Sequence, residues 1–275
     1  MNRVFLRFPD FREKTLTFSY DDGVASDRRL IGILSACGLK GTFNLNSGLF
    51  DAGGNRLSAA EAKALYTNAC AEVAVHGQKH YSLEDVPFSL ALQDVAADKA
   101  ALEEMFGTVI EGMAYANGSA GAKAEEAVRA CGIGYARTTV STGSFLLPEN
   151  WLRLPATCHH DDARLFELAE TFLSETPGAN FWRGGPRMFY VWGHSYEFDG
   201  NGNWDVIERF AEKMSGRQDI WYATNGEIFR YVRAYDRLQF AAEAKFVYNP
   251  SACDVYLDVF GRRRVARAGE VSDLR

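Results

Sequence analysis

The feature that most constrains this 275-residue chain is a hydrophobic pattern that keeps changing period. Short β-rich runs give way to amphipathic stretches at helical spacing, and the cycle repeats six or seven times between about residue 15 and residue 235. Thr15–Ser19 (TLTFS), Gly41–Asn46 (GTFNLN), Ala71–Val75 (AEVAV), Glu111–Tyr115, Gly132–Arg137, Met188–Trp192 and Ile220–Ala223 read as strands. Helices are predicted after Ser26 as N-cap and up to the stop at Gly38, from Ser58 with a Ser-Ala-Ala-Glu capping box, and over Ser89–Phe106. Further helices fit near Gly121–Ala130, Asp161–Leu173 and Trp204–Met214, and Thr224-Asn-Gly-Glu227 is a second capping box. Strand-then-helix repetition argues for an α/β fold with a parallel sheet. The length suits a barrel, and an open doubly wound sheet is the runner-up. After about Asp236 the helical period disappears, and 236–275 reads as a small β-rich appendage to a barrel over 1–235.

Composition excludes several classes. Hydrophobic residues make up 47% and charged residues 24%, so the chain is globular rather than disordered or coiled coil. A net charge of −6 leaves no broad basic field, which argues against nucleic acid as partner. Arg262-Arg263-Arg264 reads as a solvated turn. No run approaches the roughly 20 apolar residues of a membrane span, and no leader stretch opens the sequence, so the expected location is cytoplasmic. The five cysteines (37, 70, 131, 158, 253) form no CxxC pair and are expected as reduced thiols.

The polar residues that follow the strands carry the chemistry. Asp21, Asp22, Asn44, Asn46, His76, His80, Asn117 and His194 all come at or just after strand ends. On a β/α barrel those positions share one rim, the C-terminal face where sites form. Asp21 and Asp22 point different ways from an extended segment, so one can bind a metal while the other handles a proton. His76 and His80, in HGQKH, stand one turn apart if that loop is helical. No Glu lies within the motif, so the carboxylate ligand of a two-histidine site must come from elsewhere, Asp21 or Asp22 being the obvious donors. Two imidazoles and one carboxylate leave positions open for water and substrate, a catalytic arrangement. His194 ends a late strand and can give or take a proton near neutrality.

The set Thr17-Phe-Ser-Tyr-Asp-Asp-Gly23, His76-Gly-Gln-Lys-His80, Ala114-Tyr-Ala-Asn-Gly118 and Trp192-Gly-His194 resembles the polysaccharide deacetylases, the NodB-homology enzymes of carbohydrate esterase family four. The order and spacing match over roughly 15–235. The resemblance implies a distorted (β/α)7 barrel, here with the small C-terminal β appendage. It implies removal of acetyl groups from an N-acetylated sugar or polysaccharide precursor by metal-activated water, with a carbohydrate as partner. It gives Asp21 the role of base, Asp22, His76 and His80 the metal, and His194 the role of acid. Zinc is the default ion, and cobalt, nickel or iron suit the same donors. The third motif departs from the family's Arg-x-Pro-Tyr-Gly, so the arginine that orients the base is missing. Arg137, at the end of the next strand, is the candidate substitute. The Asn117 N–H is the candidate oxyanion donor. Tyr115, Asn46 and His160 are further candidates for the rim and substrate, with His160 equally placed to cap the helix that follows. Two other readings stay open: a related C–N hydrolase of small non-sugar amides, and a non-catalytic, metal-retaining carbohydrate-binding domain. The 236–275 segment is expected to cap the barrel or to form a homodimer contact.

Overall fold

The computed structural model describes residues 3–176 and 184–275. In chain order the elements are β1 (Val4–Arg7), β2 (Lys14–Asp21), α1 (Asp27–Ala36), β3 (Gly41–Leu45), α2 (Ala59–Tyr66), β4 (Ala71–Val75), α3 (Phe88–Phe106), β5 (Gly112–Ala114) and α4 (Ala122–Ala130). They continue with β6 (Tyr135–Ser141), β7 (Leu154–Ala156), β8 (Cys158–His159), α5 (Leu165–Ser174), β9 (Arg187–Gly193), α6 (Ser195–Asn201), α7 (Trp204–Met214), β10 (Ile220–Tyr222) and α8 (Asn225–Asp236). Five short strands finish the chain: β11 (Gln239–Phe240), β12 (Phe246–Tyr248), β13 (Val255–Val259), β14 (Arg262–Ala266) and β15 (Val271–Asp273).

The main sheet is parallel and runs β7-β6-β5-β4-β3-β2-β9-β8. Its two ends are consecutive in sequence. Leu154 and Ala156 pair with β6, Cys158 and His159 pair with β9, and Thr157 between them donates its N–H to Tyr190 and accepts from Gly143. One segment therefore closes the sheet on itself, giving the distorted (β/α)7 barrel. The distortion is visible at β2, whose one edge is shared by two partners in succession. Ile220–Tyr222 lie beside Lys14–Leu16, and Gly41–Asn44 lie beside Phe18–Asp21.

Period-two alternation decides what faces where. In β2, Leu16, Phe18 and Tyr20 point to the helices and join the larger apolar core. Thr15, Thr17, Ser19 and Asp21 point into the barrel. That interior is polar and hydrogen-bonded. Thr17 donates to Asn225, Asn44 donates to Ser19, and the first turn of α8 plugs the barrel through Asn225, which also meets Thr42 and the Tyr190 hydroxyl. Both capping boxes read from the sequence, Ser58/Glu61 and Thr224/Glu227, are formed. Ser26 differs: its side chain makes no cap bond and donates instead to Asp199.

The residues after 236 form β strands, and N-terminal β1 joins them by pairing with β13. Their apolar faces pack on α8 in a second core containing Leu257, Val259, Tyr231 and Val232. Arg262–Arg264 lie in strand β14 rather than in a turn, with Arg264 bonded to the Leu274 and Arg275 carbonyls. The exposed faces of edge strands suit such charges. All five cysteines are free thiols, and only Cys253 is exposed. Among the described residues no helix is long and apolar enough to cross a membrane.

Asp27 ties three elements together beneath the rim. It is fully buried and accepts from the Ser195 and Tyr66 hydroxyls and from the Val24 N–H. Burial pushes its carboxyl up to about 7. The folded state thus holds a proton that the unfolded chain loses near pH 4, and stability falls as pH rises through that window, by about 1.4 kcal/mol per unit. Urea unfolding at pH 5 and pH 8 should show this loss reduced in Asp27→Asn, with the similarly raised Asp98 (about 7) supplying the remainder.

Candidate active site

Asp21 is the last residue of β2 and lies 3% exposed inside the mouth of the barrel. Asn44 donates to its Oδ1 at 2.8 Å, and Arg137 donates to its Oδ2. His76 Nε2 and His194 Nε2 each stand 3.8 Å from Oδ2. Burial opposes the charge, but Arg137 first, then the two histidines, hold the Asp21 carboxyl at about 2. It is an ionised acceptor at any working pH. Arg137 is itself wholly buried, stacked over the Trp192 ring at 4.4 Å. Arg137, the candidate from β6, thus reaches the Asp21 carboxylate from one strand beyond the third motif.

Asp22 leaves the strand with φ +85, a left-handed conformation that turns its carboxylate away from Asp21. Arg56 grips this strained residue, donating to its carbonyl and, at 3.4 Å, to Oδ1. Three ligand atoms, one each from Asp22, His76 and His80, lie within 4.8 Å of one another. His80 Nε2 is 3.6 Å from Asp22 Oδ1. His76 hydrogen-bonds the Ala114 carbonyl through Nδ1 at 2.8 Å, which fixes the tautomer and leaves Nε2 with a lone pair. Burial pushes His76 toward the neutral form that ligation requires. Two imidazole nitrogens and one carboxylate oxygen fit a zinc-type ion with positions open for other ligands.

The histidine motif is not helical. β4 stops at Val75, Gly77 has φ +84 and His80 has φ +58, so a tight turn brings the two rings to 4.8 Å. A Cβ at Gly77 would collide with Asp94. Asp22, His80 and Asn117 all hold positive φ without being glycine, and backbone strain of this kind gathers at functional sites.

Behind the ligands stand residues that sequence reading missed. Asp94 and Asp98, one turn apart on the buried face of α3, take the backbone N–H groups of Lys79, His76 and Ser47. The signal was there: acidic side chains on the apolar stripe of a helix must serve something buried. Glu197 was also missed. It lies 3.3 Å from His194 Nδ1 and accepts the His194 N–H at 3.0 Å. Burial alone would lower the His194 pKa, but the Glu197 carboxylate beside it and the charge of Asp21 raise it.

Three expected rim residues are placed elsewhere. Tyr115 is buried in the main core, with its hydroxyl on the Leu152 carbonyl, because the short β5 turns its side chain toward the helices. Asn46 is wholly buried and clamps the His76 and Gly77 carbonyls at 2.9 and 2.7 Å, so it shapes the ligand turn instead of meeting substrate. His160 is also buried, stacked between Tyr20 and Phe198, and neither faces substrate nor caps α5. Asn117 sits in the left-handed turn after β5, its side chain donating to Ser82.

The polysaccharide deacetylase family model matches residues 9–136, the stretch that carries the first three motifs. This part of the chain is similar to the polysaccharide deacetylases. The barrel is similar to a putative polysaccharide deacetylase of Mycobacterium smegmatis at 17% identity and TM-score 0.58, over 86% of this chain and 96% of that one. It is similar to a family 4 carbohydrate esterase of Streptomyces lividans, solved with acetate, at 13% identity and TM-score 0.50, over 76% and 91%. A deacetylase of Streptococcus pyogenes, also with acetate, aligns at 19% identity and TM-score 0.46 over 50% of this chain, which spans 61% of that relative's length. No curated protein matches.

The clamp made by Asn46 gives a direct test. Asn46→Ala should weaken zinc binding by about 10–100-fold, read by titration calorimetry, with the circular dichroism spectrum unchanged.

Proposed function

We propose that this domain is a metal-dependent hydrolase that removes acetyl groups from an N-acetylated sugar or glycan. One observation carries the reading. An ionised base, Asp21, faces two histidines at 3.8 Å, and beside it stands a two-histidine, one-carboxylate ligand set. A pure binding domain needs neither a base held ionised by a buried arginine nor a raised histidine across from it.

Asp22, His76 and His80 are the residues that would hold the ion. A divalent ion there supplies Lewis acidity, drawing the pKa of water from about 15.7 toward 7. Asp21 accepts the proton released as water attacks the acyl carbon. Arg137 and Asn44 keep the accepting oxygens aimed and unprotonated beforehand. The Asn117 N–H is the candidate donor to the developing oxyanion, a contribution of about 3–4 kcal/mol for a well-placed donor. His194, whose charged form Glu197 and Asp21 favour, delivers a proton from Nε2 to the departing amine. Trp192 packs over the Arg137 guanidinium and steadies the base's partner.

Asp21→Asn should bind zinc as tightly as the parent while acetate release from N-acetylhexosamine oligomers falls by about 10²–10⁴. Turnover at the parental rate would remove Asp21 from the mechanism, and ammonia or ring-opened product in place of acetate would move the substrate class to non-sugar amides. Arg137→Leu removes the cation that lowers the Asp21 pKa. The acid limb of kcat/KM should then move to higher pH by at least one unit, and Arg137→Lys should recover part of that shift.

A further inference from the structure

A second convergence of donor atoms lies beside the site, on the far side of His194. Ligand atoms of His159, His160, Asp161 and Glu197 all fall within 4.8 Å of one another. None of the four belongs to the Asp22, His76, His80 set.

His160 is the informative member. Its side chain has no solvent exposure and is held between Tyr20 (ring centroids 5.7 Å apart, 12° between planes) and Phe198 (4.1 Å, 27°). A Cβ at Gly193 would overlap its ring, so the chain leaves room for it. Yet neither ring nitrogen has a hydrogen-bond partner. Nε2 is aimed between two carboxylates, 3.3 Å from Glu197 Oε2 and 3.4 Å from Asp161 Oδ1, without a hydrogen bond to either. A buried imidazole with both nitrogens orphaned is costly and calls for a partner. The two carboxylates have hydrogen-bond donors, Asn201 for Asp161 and the His194 N–H for Glu197, but no fixed countercharge. Among the described residues neither pairs with Lys or Arg; their ion-pair contacts are all to histidines.

We propose that His160 Nε2, Asp161 and Glu197 form a second divalent-cation site, of zinc or manganese type. His159 serves as an outer partner. Its Nδ1 accepts the Asp161 N–H at 3.2 Å, so its Nε2 carries the proton and donates toward Glu197 at 3.3 Å. Asp161 is 37% exposed and opens the site to solvent. Glu197 would then turn one oxygen to the ion and the other, Oε1, to His194, coupling this site to the deacetylase site without depending on it.

The test is stoichiometry. Chelator-stripped full chain is dialysed against Zn²⁺ and counted by mass spectrometry, with anomalous scattering locating each ion. Parent protein should bind two equivalents, and His76→Ala/His80→Ala should retain one, at His160. Asp161→Asn, a change at an exposed position, and His160→Phe, which keeps the aromatic stack, should each retain one, at Asp22. A single equivalent in the parent, none in the double variant, or two in Asp161→Asn and His160→Phe would overturn the proposal. The deacetylase reading fails separately, by absence of acetate release from a protein that still binds its ions.

Discussion

The contact on which the site depends is the ion pair between Asp21 and Arg137, two charges withdrawn from water inside a barrel. Each is more than nine-tenths buried, and desolvation of either alone would cost several kcal/mol. The barrel offsets this with geometry. Asn44 satisfies the other carboxylate oxygen, Thr138 and the Trp192 face receive the guanidinium, and the polar ladder of Thr17 and Ser19 continues the hydrogen bonding below. An apolar interior would leave the pair without these partners. The polar lining is thus part of the same design that keeps a base ionised next to two histidines.

That pair also separates the two aspartates. Adjacent carboxylates with a shared task would repel one another. Here Asp21 stays in strand geometry and faces Arg137, while Asp22 turns left-handed and faces the imidazoles, with Arg56 holding its carbonyl. A single backbone rotation between neighbouring residues divides proton handling from ligation. The His76 turn is built by the same means. Asn46, Asp94 and Asp98 bind its backbone, so the ligand positions are set by main-chain contacts beneath the rim and not by the rim itself.

Much of this was legible in the sequence, and the parts that were not share a cause. The end of the TLTFS strand placed Asp21 and Asp22 at the barrel rim, and the capping boxes at Ser58 and Thr224 marked their helices to the residue. The order of the motifs gathered Asp22, His76 and His80. Local pattern has no access to what crosses the barrel. That Arg137 reaches Asp21 depends on strand order, and the sequence could offer it only as a candidate. Tyr115 and Asn46 were misplaced because one residue of register at a strand end decides between rim and interior. His76-x-x-x-His80 carries a helical spacing but folds as a turn, since Gly77 and His80 take positive φ and Asp94 fills the space beside the glycine. Glu197 stood three residues from His194 in a stretch where no helix is predicted, so nothing local tied it to the histidine.

The closing segment from Leu154 to His159 gives the barrel a seam. Around the rest of the circumference each strand lies along its neighbour, but here the sheet is joined by a ribbon that changes partner at Thr157. Its hydroxyl bonds the Ser144 carbonyl, so the loop above β6 is fastened at the same point. Closure of the barrel thus runs through one short ribbon, and the amides of Gly143 and Thr157 supply the bonds that hold its change of partner.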